Sequence, residues 1–175
     1  MLAAGLLGNS AATAQGMDPP VSTPPPPPAY SADQLIRMDP ASLDQLYQQS
    51  APTALPPGPI RGRVIPYPGT KLAVPSSKVA RVIWQGKIIG PNGDTIVNRF
   101  FGVRMIRGNV YFAESWMDGR PSLIIDYRET SRLYAKYRDE IRQVSPGLYL
   151  GVMYERTCPQ PTLKTYFVLE APLCE

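Results

Sequence analysis

No histidine occurs among the 175 residues. That absence excludes a Ser-His-Asp or Cys-His catalytic arrangement and any histidine-ligated zinc, iron or copper site. Two cysteines are too few for an all-cysteine zinc site. No run approaches the roughly 20 apolar residues that a membrane-spanning helix needs. Gly86-Lys87 lacks the rest of a P-loop, and neither an EF-hand loop nor an internal repeat is present. Any chemistry must come from carboxylates, Tyr, Lys, Arg or Ser, and neither a metal nor a cofactor is expected.

Charge of one sign is scarce in the first third. Residues 1–60 hold Arg37 as their single basic side chain against four carboxylates, whereas residues 61–175 hold 17 basic and 10 acidic residues. Such asymmetry marks segments with different tasks. Met1 to Ala14 is small and apolar and ends in Ala12-Thr13-Ala14, a pattern like the end of a signal peptide, without a basic n-region. Residues 1–15 read either as a signal-peptide-like export leader, which places the protein in the periplasm or cell envelope, or as a disordered apolar segment without that role. Cys158 and Cys174 then have two readings: a disulfide closing the last hairpin, favoured in an oxidising compartment, or two reduced structural thiols.

Residues 16–30 form a Pro-rich spacer with five consecutive prolines, Pro24 to Pro28, which prefer polyproline II. Residues 31–50 carry two short helices. Ser31 to Gln34 has capping-box spacing, and Asp39-Pro40 supplies a second N-cap with proline in the first turn. These helices are too short to stand alone and must dock on the following domain or on a partner. A Pro-rich linker, 51–60, leads into a β-rich domain over 61–175.

In that domain the hydrophobic period falls to two. Strands are expected over Arg61–Pro66, Val79–Ile89, Thr95–Met105, Val110–Ala113, Pro121–Tyr127, Leu148–Glu155 and Leu163–Glu170. In the second, Val82, Trp84, Gly86 and Ile88 share one face and Lys87 the other. Pro91 to Asp94 is a hairpin turn built on Asn-Gly, and turns are read at Arg107–Asn109 and Trp116–Gly119. Leu148, Leu150, Val152 and Tyr154 are expected inward, as are Leu163, Thr165, Phe167 and Leu169. One amphipathic helix is read from Thr130 or Ser131 to Val144, with Leu133, Tyr137, Ile141 and Val144 on its stripe. The fold class is mainly β (α+β): an antiparallel sheet curled into a small barrel or half-barrel, covered by that helix.

Trp84-Gln85-Gly86-Lys87 opening a strand, Gly147 to Arg156, and Tyr166 to Glu170 together resemble the ends of bacterial GXWXG-type domains over roughly residues 79–170. Val82 stands where the first glycine of that motif belongs. The resemblance implies a calycin-like small β-barrel.

Trp84, Phe100, Phe101, Tyr111, Trp116 and Tyr149, with Asn98 and Arg99 as polar members, could line an apolar ligand cavity. The same aromatics could equally fill a core. Asp126, Glu129, Arg138, Asp139 and Glu140 form a polar cluster, read either as an ion-paired surface or as carboxylates dividing acid and base roles. The function expected is a non-catalytic binding domain for a lipid-like or other apolar ligand in the envelope. The alternatives are a carboxylate-based isomerase or hydrolase, and a protein-interaction module. The partner expected is a small apolar ligand or an envelope protein. A nucleic-acid partner is not expected, because the arginines form no dense run.

Overall fold

The computed structural model describes residues 29–172. The leader and most of the proline spacer lie outside them, and so does Cys174. Cys158 is exposed, and the expected pairing with Cys174 falls outside the described residues.

Two short helices open the described chain, α1 (Ala32–Arg37) and α2 (Pro40–Gln49). Both start as their caps dictate. Ser31 closes a capping box with Gln34, and the Asp39 carboxylate accepts from the Ser42 backbone N–H with Pro40 in the first turn. Eight strands follow: β1 (Gly58–Ile65), β2 (Trp84–Ile89), β3 (Thr95–Phe100), β4 (Val103–Glu114), β5 (Pro121–Asp126), β6 (Tyr137–Ser145), β7 (Leu148–Glu155) and β8 (Thr162–Glu170). Each pairs antiparallel with its neighbour in sequence, and β8 pairs with β1, which closes the barrel and leaves no sheet edge. A third helix, α3 (Ala73–Ile83), connects β1 to β2.

The barrel is therefore closed, and several sequence-based expectations are corrected within it. Residues 137–145, expected in a helix, form β6. Their charged residues looked solvated, but Arg138, Glu140 and Arg142 are buried on the outer face of the sheet, beneath the arm and the 115–120 turn. Asp139 and Ile141 point into the barrel instead. A strand buried on both faces loses the in–out contrast by which strands are recognised.

The face of β7 is also reversed. Leu148, Leu150, Val152 and Tyr154 lie outside, packed with Leu35, Ile36, Leu43 and Tyr47 of the arm, while Tyr149 faces the interior cluster. Gly151 faces inward because Phe167 occupies its place: a Cβ there would sit 2.1 Å from the ring. In β8 the expectation holds for Thr165, Phe167 and Leu169, whereas Leu163 packs against the outer cluster.

Residues 79–83, expected as strand, belong to α3, and β2 begins at Trp84. A bulge then separates Trp84 from Gly86, which has φ +119° and backs against the carbonyl of Ile60. The extra residue shifts the side-chain alternation, so Trp84 and Lys87 both point inward. The strand read over 95–105 breaks at Phe101-Gly102, both at positive φ. The turn expected at Arg107–Asn109 is instead continuous with β4, whose irregularity lies at Ile106 (φ 63°).

Two cores result. The outer one joins the arm to β7, β8 and Ile65 of β1. It is locked by Arg142, fully buried, which grips both Asp118 oxygens at 2.7 and 2.8 Å, donates to the Tyr47 carbonyl at 3.1 Å and stacks on the Tyr47 ring. The Tyr47 hydroxyl meets Ser122 Oγ at 2.6 Å. The inner core fills one half of the barrel with Leu55, Ile60, Ile89, Ile96, Tyr149 and Leu169, at the end where the Pro91–Asp94 turn lies. The other half is built differently.

Arg142 holds the Asp118 carboxyl below its ordinary value of 3.8, chiefly through the hydrogen bonds between them. A depressed carboxylate contributes stability above its unfolded value and loses it as pH falls through the folded one. Thermal unfolding is therefore expected to shift down as pH drops below 3.8. Asp118→Asn should unfold earlier at pH 6 and show a shallower acid slope, read by circular dichroism.

Candidate functional site

The half of the barrel opposite Leu55 is the end where α3, Phe101-Gly102, residues 127–136 and residues 156–161 connect the strands. A cavity of about 130 Å³ opens there. Trp84, Phe100, Tyr127, Tyr134 and Phe167 form its aromatic walls, and Val64, Met153 and Thr165 stand at its half-buried rim. The rings meet edge to face, Trp84 with Phe167 at 5.6 Å and Tyr127 with Tyr134 at 5.7 Å between centroids, the geometry that ring quadrupoles favour.

A closed polar network forms its floor. Lys87 Nζ donates to Asp139 Oδ2 at 2.8 Å, to the Tyr127 hydroxyl at 2.9 Å and to Asn98 Oδ1 at 2.9 Å, which uses all three ammonium hydrogens. The Tyr127 hydroxyl donates to Asp139 Oδ2 at 2.7 Å. Asn98 accepts a second bond from Trp84 Nε1 at 3.0 Å, and its amide donates to the Ile106 carbonyl at 3.1 Å and to the Tyr127 hydroxyl at 3.3 Å. Ile106 holds a left-handed backbone that a β-branched residue seldom adopts, and this bulge turns its carbonyl onto Asn98.

Lys87 and Asp139 are both almost wholly buried. Burial pushes the Lys87 ammonium below its ordinary value, against the pull of Asp139. Burial, and then the Asp139 charge, push the Tyr127 hydroxyl well above 10.0. Tyr127 thus stays a neutral donor. Lys87 also lies 5.3 Å from the Trp84 and Phe167 ring centroids, so π faces share in holding its charge.

One acceptor is left over. Asp139 Oδ2 takes both bonds, and Oδ1 has no hydrogen-bond partner among the described residues, although Asp139 lines the cavity. The lysine, tyrosine, asparagine and indole groups are all engaged. The floor therefore offers an anionic acceptor inside a locally neutral pair.

Of the residues expected around a cavity, Trp84, Phe100 and Asn98 are in it, and Tyr111 is exposed. Tyr149 is buried in the filled half. Arg99 faces outward into a groove with Arg61 and Glu170. Phe101 is exposed at the β3–β4 tip, and Trp116 lies on the outer surface between Arg138 (4.3 Å) and Tyr154. The polar cluster is likewise dispersed. Asp126 pairs with Arg156 at 2.7 Å, Glu129 is exposed, and Arg138 pairs with Glu140 at 3.2 Å beneath Trp116. Burial raises Glu140 above its usual value, against the Ser115 hydroxyl and the Trp116 N–H. Asp139 alone of this set enters the barrel.

Lys87, Tyr127 and Phe167 were not among the residues expected at a site. Gly86 inside a strand was the available signal, since an isolated strand glycine often marks a bulge and hence a reversed face. Among the described residues no group of His, Cys, Asp or Glu gathers to hold a metal ion, and no helix is long and apolar enough to cross a membrane.

No protein-family model matches the chain, and no curated protein matches it. A crystal structure of a protein from Thermomonospora curvata is similar to it, with 19% sequence identity and a TM-score of 0.50 over 78% of this chain and 89% of that one. At that identity the likeness concerns the fold alone.

Proposed function

We propose that this chain is a non-catalytic binding protein of the bacterial envelope, whose barrel takes a small, neutral, largely apolar molecule carrying one hydrogen-bond donor. The observation that carries this reading is the free Asp139 Oδ1 on the floor of an aromatic cavity whose other polar atoms are satisfied. A cavity of about 150 Å³ accepts benzene in an engineered protein core. The volume here, about 130 Å³, suits one ring or a short branched chain. A long acyl chain would have to trail out of the mouth. The envelope location rests on the leader-like residues 1–15, and kinship with GXWXG-type barrels on Trp84 opening β2.

An enzyme built on the carboxylates gains less support, because Asp126, Glu129 and Glu140 face away from Asp139 and share no cleft with it. An interaction module using the N-terminal helices gains less as well, because their apolar faces are spent on the barrel.

A ligand series tests the binding reading without altering the protein. Phenol, toluene and anisole have similar bodies, and phenol alone can donate. By NMR titration of the Trp84 indole N–H, phenol is expected to bind about tenfold tighter than toluene or anisole, the share of a hydrogen bond to a charged acceptor. Equal response to all three would remove the role given to Asp139. No response to any would remove the binding reading.

A further inference from the structure

We infer that the mouth end of the barrel docks on an anionic lipid surface. Large apolar side chains stand exposed there on three separate connections: Val79 and Val82 (66% each) on α3, Phe101 (67%) at the β3–β4 tip, and Leu133 (75%) in the 127–136 loop. These connections adjoin one another. The Phe101 N–H donates to the Ile83 carbonyl at 2.9 Å, and Tyr134, next to Leu133, packs on Phe100 with centroids 6.1 Å apart. Exposed apolar groups gathered in one place mark an interaction site rather than ordinary surface.

Charge selects the occupant. The connections at this end carry exposed Lys71, Lys78, Arg81, Arg128 and Arg132, with Glu129 as their single carboxylate. The turns at the opposite end have no such excess: Asp94 stands alone in one, and Asp118 and Arg120 offset each other in another. Projecting apolar tips ringed by long basic side chains match an interface where hydrocarbon and anionic headgroups lie a few ångströms apart, and binding there grows with both contributions. A protein partner would need a continuous, closely packed complementary surface, whereas these side chains project from three neighbouring connections with basic residues between them. Docking in this way turns the cavity mouth toward the bilayer, and it holds whatever the cavity carries.

Co-sedimentation of the full chain with two vesicle types tests this, one of phosphatidylcholine alone and one with a third of phosphatidylglycerol. Binding is expected to the anionic vesicles and to fall as salt rises. Neutralising Lys71, Lys78 and Arg81 to Gln should weaken it about 100-fold, from a contribution of about fivefold per basic residue near an anionic surface. A second variant, Val82→Ser with Phe101→Asn and Leu133→Ser, changes exposed side chains alone, and Asn suits the left-handed backbone at Phe101. It should fold normally and lose most of the binding. Absence of binding to anionic vesicles, or full binding by the serine–asparagine variant, would overturn the inference. So would a dimer in size-exclusion chromatography that this variant dissolves, since a second copy would then be the occupant.

Discussion

Lys87→Met is expected to lower the unfolding free energy by about 3–5 kcal/mol, the usual cost of removing one partner from a buried ion pair. The loss is not that of one contact. Asp139 would be left in the barrel with Tyr127 as its last donor, and Asn98 Oδ1 would keep Trp84 alone. Pairing Lys87→Met with Asp139→Leu removes both charges together and fills their space with apolar atoms. Such replacements are often neutral or stabilising, so the double variant is expected to recover most of the stability. Urea unfolding followed by Trp fluorescence checks both, with the midpoint moving and the slope staying constant. An additive double variant, as unstable as the two single losses summed, would mean that the two residues do not act as a pair.

Removing residues 1–50 is expected to abolish cooperative folding of the barrel. Leu35, Ile36, Leu43 and Tyr47 are fully buried against β7 and β8. At about 1.5–3 kcal/mol for each such side chain, their burial contributes roughly 6–12 kcal/mol, as much as the whole stability of a typical domain. The truncated chain would expose Leu148, Leu150, Val152, Tyr154 and Val168 as one apolar face, and Arg142 would lose the Tyr47 carbonyl and ring. Aggregation, or a compact state that binds the dye ANS without near-UV circular dichroism, is the expected outcome. A soluble truncated barrel with a sharp thermal transition would show that the arm is an accessory and that the inner core suffices.

Features set by neighbouring residues were legible in the sequence. The caps at Ser31 and Asp39 begin α1 and α2 where expected, and the Asn92-Gly93 turn places β2 against β3. The many short strands implied a barrel or half-barrel, and the pairing of β8 with β1 makes it a closed one. Features set by distant packing were not legible. β6 reads as part of an amphipathic helix with Arg132, Lys136, Asp139 and Arg142 on its solvated side, yet Arg138, Glu140 and Arg142 are buried. Their partners are the Glu114, Tyr47 and Pro121 carbonyls and the Trp116 N–H, up to 95 positions away. The site suffered from a single inserted residue. The bulge at Gly86 moves Lys87 from the outer face to the inner one, and with it the identity of the partner for Asp139. Trp84 was legible as an aromatic on a strand face and Asn98 as a polar residue within a strand, the two kinds of group that line an apolar pocket. Phe101 and Trp116 were misplaced because an aromatic side chain at a turn is indistinguishable by composition from one in a core.

In the proposed function the aromatic cavity receives a molecule through the free oxygen of Asp139. A crystal structure of the full chain soaked with phenol tests it most directly. A ring is expected between Trp84, Tyr127 and Phe167, with its hydroxyl within hydrogen-bond distance of Asp139 Oδ1 and the Lys87 contacts unchanged. A cavity holding ordered water alone, or a ring bound with its hydroxyl turned toward the mouth, would contradict it.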